Sequence, residues 1–188
     1  MKFQVAYRSA ALAAALLMMS SIQAACWLAD ESSGELRFSG QVEGENFFGS
    51  FDDFDVRVCR PDGSDWSASE WTVSVATGSA DTRNRDRDET LHGRYFFAVE
   101  EFPTATWTST RVIDQGDGLV LEGSLGLKGF TASQSVNAEL DSSSDALSLV
   151  GSADISRLNF GVGQGEYADT EFIRDRVELE FELRLISQ

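Results

Sequence analysis

The nearest approach to acid–base machinery in this sequence is a lone histidine, His92, five residues after an Arg87-Asp88 pair. Imidazole, carboxylate and guanidinium together can move a proton and hold an anion. Acyl transfer would also need a nucleophile in the same pocket, and no serine sits in a Gly-x-Ser-x-Gly turn. Arg87 and Asp88 lie in a charged stretch, Arg83 to His92, where capping and ion pairing account for them. His92 precedes Gly93 and fits the C-terminus of a short helix, where a cation is favoured. Glu178, Glu180 and Glu182 are spaced as an outward strand face, which makes them a solvated surface rather than a general-acid pair. Lys128, beside Gly129, can meet an anionic head group or cap a sheet end. No catalytic residue and no metal site is assigned.

Cys26 and Cys59 lack metal-ligand spacing, and their chemistry depends on the compartment. Lys2 and Arg8 flank an apolar run, Ala10 to Met19, too short to span a bilayer. Small residues follow to Ala25, so the sequence predicts a signal peptide over 1–24 with cleavage after Ala24. The domain then covers 25–188, exported to the periplasm, where an even pair of cysteines forms a disulfide. The alternative is a lipoprotein anchored through Cys26.

The full chain carries a formal charge of −16, and removing Lys2 and Arg8 takes it to −18. Such an acidic protein does not neutralise phosphates, which argues against nucleic acid. It equally lacks a basic patch for anionic membranes. The charge keeps the chain soluble, and could steer it to a basic surface on a membrane redox protein.

Period-two alternation dominates the rest of the chain. Leu36, Phe38 and Val42 share one face, as do Phe54, Val56 and Val58, and Trp71, Val73 and Val75. The pattern recurs at 104–113, 119–128, 136–140 and 147–155, and most cleanly at Val177, Leu179, Phe181, Leu183 and Leu185. Eight strands with one apolar face each read as antiparallel. Turn residues such as Gln115-Gly116-Asp117-Gly118 join them. The fold expected is an all-β, eight-stranded antiparallel barrel, which leaves no free edge, although a two-sheet sandwich has the same local pattern. A 78–103 insertion with a short helix, ending in Tyr95-Phe96-Phe97 and Phe102-Pro103, would cover one end.

These segments together resemble the YceI-like family of exported polyisoprenoid-binding proteins. Among the segments are Gly49-Ser50-Phe51-Asp52-Asp53-Phe54, Arg87-Asp88-Glu89-Thr90-Leu91, Gly123 to Thr131 and Arg157-Leu158-Asn159-Phe160-Gly161-Val162-Gly163. The resemblance runs from Trp27 to about Leu185, and departs from the family's habit at Ala98, Gly126 and Ser79. It implies a lipocalin-like barrel around an apolar tunnel, a non-enzymatic carrier with no cofactor beyond a bound isoprenoid lipid or quinone. The expected walls are Phe38, Phe54, Val73, Val75, Trp107, Leu125, Leu127 and Phe181 from the strands. Leu91, Phe96, Phe97, Phe102 and Phe160 would join them from the irregular segments, with Arg87 and Lys128 near a head group. A prenyl tail offers nothing to hydrogen-bond, so its site needs carbon walls. Burying about 400 Å² of it would supply on the order of 10 kcal/mol before ordering costs. The competing use of the same side chains is a solid core, which would leave a ligand-free interaction module.

Overall fold

The computed structural model describes residues 24–61, 64–142 and 146–188. The expected signal peptide therefore lies outside the described residues except for Ala24, which opens strand β1. The strands are β1 (Ala24–Asp30), β2 (Gly34–Val42), β3 (Glu45–Phe51), β4 (Phe54–Pro61), β5 (Glu70–Ala76) and β6 (Ala80–Asp81). Helix α1 (Arg85–His92) follows, then β7 (Thr104–Asp114), β8 (Leu119–Leu127), β9 (Phe130–Ser142), β10 (Ala146–Ser156) and β11 (Arg176–Ser187).

Every strand pairing is antiparallel, and the order β1-β4-β5-β7-β8-β9-β10-β11 returns to β1. That ring is the eight-stranded barrel expected from the alternation. Its membership differs in one place. β2 was legible in the sequence, yet it leaves the ring and carries β3 and β6 beside it, while β1 makes the closure. The change of partner is visible on β11, which meets β1 at Ser187 and Ile186 and β2 from Leu183 to Glu178.

Cys26 lies opposite Cys59 across β1 and β4, and the two are joined in a disulfide. For a separation of 33 residues, the loop-entropy account gives about 3–4 kcal/mol of stabilisation. Both cysteine sulfurs are used in this bond.

Helix α1 is stopped and started as its residues dictate. Asn84 accepts from the Arg87 amide at the N-terminus, and His92 precedes Gly93, whose amide bonds back to Thr90. Lys128 and Gly129 make a two-residue hairpin between β8 and β9, both with positive φ, 52° and 78°. That is the turn whose twist matches the flanking strands, and it is why a glycine follows the lysine. The insertion, this hairpin and the 157–175 loop share one end of the barrel, called here the lid end. The disulfide and the 115–118 turn sit at the other.

Candidate functional site: an apolar channel inside the barrel

The barrel interior is not filled. Two cavities, of about 120 and 140 Å³, lie inside the ring and share six wall residues: Leu36, Val75, Ala105, Leu125, Ile155 and Leu179. These six form a waist where the two cavities adjoin as an inner and an outer chamber of the barrel interior. The inner chamber runs below it past Phe54, Val73, Trp107 and Phe181. The outer chamber runs toward the lid end past Phe38, Phe47, Leu91, Phe96, Phe97 and Leu127.

Alternation explains the lining. On β11, Val177, Leu179, Phe181 and Leu183 point into the channel, while the glutamates between them point out. Two glycines make room for large rings. A Cβ at Gly123 would overlap the Trp107 indole, which donates Nε1–H to the Gln134 carbonyl at 3.0 Å. Gly151 similarly accommodates Phe181. Gln134 faces the inner chamber, but its side-chain amide is turned to the carbonyls of Ser135 and Asp154. β9 and β10 pair only from Asn137 to Ser142 and from Leu147 to Ser152, so this amide bridges the stretch where their ladder has parted.

Eleven of the thirteen expected wall residues border one chamber or both. Phe102 and Phe160 do not. Phe160 is fully buried in the turn after β10, and Phe102 packs at Gly129, where a Cβ would come 2.9 Å from its ring. Both belong to irregular segments, where no period tells inside from outside.

The polar candidates stand apart from the channel. Arg87 donates Nε–H to Thr82 Oγ1 at 2.8 Å and lies over the Phe47 ring at 5.3 Å. It borders an outer groove of about 840 Å³ that shares Leu36, Phe47, Phe51 and Phe54 with the chambers. Asp88 accepts from both the amide and the hydroxyl of Thr82. Burial opposes its charge, but those hydrogen bonds and the Arg87 charge outweigh it and hold the carboxyl below its ordinary value. His92 borders neither chamber, and its half-buried ring leaves Nε2 without a hydrogen bond. Arg87, Asp88 and His92 thus do not converge on one reacting atom. Among the described residues no cluster of His, Cys, Asp or Glu is arranged for a metal.

Lys128 is buried, with Nζ donating to the Gly161 carbonyl at 2.6 Å. Burial pushes its pKa below 10.5. The unfolded chain therefore binds more protons in the window between the lowered value and 10.5, and stability contributed by this site rises with pH there. Urea unfolding from pH 7 to 10.5 should show the parent gaining on Lys128→Met as the pH climbs. A difference that stays flat across that range would remove the burial explanation.

The residue missed from the sequence is Arg157. It is 3% exposed and borders the outer chamber. Its guanidinium donates to five carbonyls, those of Val162, Gly163, Tyr167, Ile173 and Arg174, at 2.8 to 3.2 Å. Burial lowers its pKa, and the nearby Asp175 charge opposes that shift. A signal existed: Arg157 continues the inward parity of Leu149, Ala153 and Ile155.

A closed antiparallel barrel with a carbon-lined internal channel defines the lipocalin-like class of binding scaffolds. Residues 27–185 match the YceI-like domain. The chain belongs to the YceI-like family. Protein YceI of Salmonella arizonae is 39% identical over 93 residues, half of this chain and 48% of its own length. A UPF0312 protein of Yersinia pestis is 38% identical over the same length and shares. The chain thus spans about half the length of the curated relatives it matches.

Solved structures agree on the fold. BcnA of Burkholderia cenocepacia superposes with a TM-score of 0.77 at 21% identity, over 83% of this chain and 98% of that one. A polyisoprenoid binding domain from Saccharophagus degradans, implicated in plant cell wall breakdown, gives 0.66 at 14% identity, over 88% and 100%.

Proposed function

We propose that this protein is an exported, non-enzymatic carrier that holds an isoprenoid lipid, of the quinone or polyprenyl type, in the channel. The observation that carries the reading is the pair of chambers meeting at a waist of six carbon-lined residues. A flexible branched hydrocarbon suits a narrow apolar space, and gains there in proportion to the area it removes from water. Arg87 borders the groove that shares walls with both chambers, and on this reading it meets a polar head left outside. The disulfide is consistent with an oxidising compartment such as the periplasm, and the likeness to a polyisoprenoid binding domain supports the ligand class.

The test is gentle purification followed by organic extraction and mass analysis. An apolar isoprenoid at about one molecule per chain is expected, because a dry channel exchanges its contents slowly with water. Protein that yields nothing on extraction and takes up no added prenol would end the reading.

A further inference from the structure

The channel lining stops short of the disulfide end. On β11, residues from Val177 to Leu183 border it, whereas the next inward residue, Leu185, does not and is completely buried. A like step occurs on three other strands. Leu121 borders the channel on β8 and Leu119 does not; Leu149 borders it on β10 and Leu147 does not. On β4 the change falls between Val56 and Val58. Leu185, Leu119, Leu147 and Val58, below the step, are 0–5% exposed and belong to one packed core that forms a plug toward the disulfide end. Trp71, 1% exposed, closes the inner chamber at this level, its Nε1–H fixed to Ser69 Oγ at 2.6 Å.

We propose that this plug is a stop that sets the length of prenyl chain the protein accepts. The inference rests on the channel being a prenyl site. Six residue steps, Val177 to Leu183 or Leu127 to Leu121, separate the two ends of the lining. At a rise of about 3.3 Å and a strand tilt of about 40°, that is roughly 20 Å along the strand and 15 Å along the axis. An extended isoprene unit, four carbon–carbon bonds, is about 5 Å long. The channel therefore takes about three units, and any further units remain outside it. Trp71, Leu147 and Leu185 are specificity-determining residues on this account, since they touch or back the buried end of the chain.

The experiment is a chain-length series, from geraniol through farnesol and geranylgeraniol to solanesol. Each is presented in one non-ionic detergent and scored by displacement of an apolar fluorescent dye from the whole protein. Affinity should climb roughly tenfold per isoprene up to farnesol and then level off. Affinity that keeps climbing to solanesol overturns the stop but leaves the carrier reading intact. A series in which no prenol displaces the dye overturns the carrier reading and the stop with it. Two variants move the plateau in opposite directions. Val136→Phe, which fills the inner chamber from the strand position opposite Leu121, should lower it by about one unit. Leu147→Ala, which hollows the plug, should raise it by about one unit if circular dichroism shows the fold retained. A plateau unmoved by Val136→Phe overturns the proposal, whether or not the Leu147 variant folds.

Discussion

Arg157→Met is expected to lower the unfolding free energy by about 4 kcal/mol and the melting midpoint by roughly 8–16 °C. The guanidinium serves five carbonyls of the loop that follows it. Removing it leaves them unpaired beside the apolar outer chamber, each at a cost of about 1–3 kcal/mol unless the loop opens to water. The 162–174 segment should do so, and hydrogen exchange there should speed up before the barrel strands respond. Arg157→Lys should recover only part of the loss. An ammonium keeps the charge but has no planar fork to reach acceptors on both sides. A loss below about 1 kcal/mol for Arg157→Met would show that the loop is held by its apolar contacts instead.

Ala105→Phe should reduce prenol affinity by at least about a hundredfold while leaving the protein folded. Ala105 lies at the waist, and its methyl borders both chambers. A ring there divides the channel and removes the inner chamber from reach, about 200 Å² of apolar contact or some 5 kcal/mol before ordering costs. Enlarging a residue in a filled core usually costs about 1–3 kcal/mol, but this ring enters space that is already open. Thr104→Phe, at an exposed position one residue earlier in β7, is the control and should bind as the parent does. Equal affinity for the parent and Ala105→Phe would mean that the ligand never passes the waist.

Seven of the eight ring strands were readable from alternation, because each has one face in the channel and one in water. β1 was not, although Trp27 and Ala29 are buried on one parity. Its inward alanine is weakly apolar, and it directly follows the predicted leader. β3 was missed because Phe47-Phe48 breaks the alternation: Phe47 lines the outer chamber while Phe48 is 69% exposed. Among the wall residues, period two located those on strands, and the misses at Phe102 and Phe160 fell where the chain has no period.

Residue order by itself determined the inward faces, the short helix before Gly93 and the cysteine pair, since each follows from local periodicity or the chemistry of nearby residues. Only the tertiary structure decided that the interior is a channel. Leu183 and Leu185 are identical in type and parity, yet one borders open space and the other is packed to zero exposure. Whether two side chains meet across a barrel depends on ring closure and strand stagger, and those are properties of all eight strands at once.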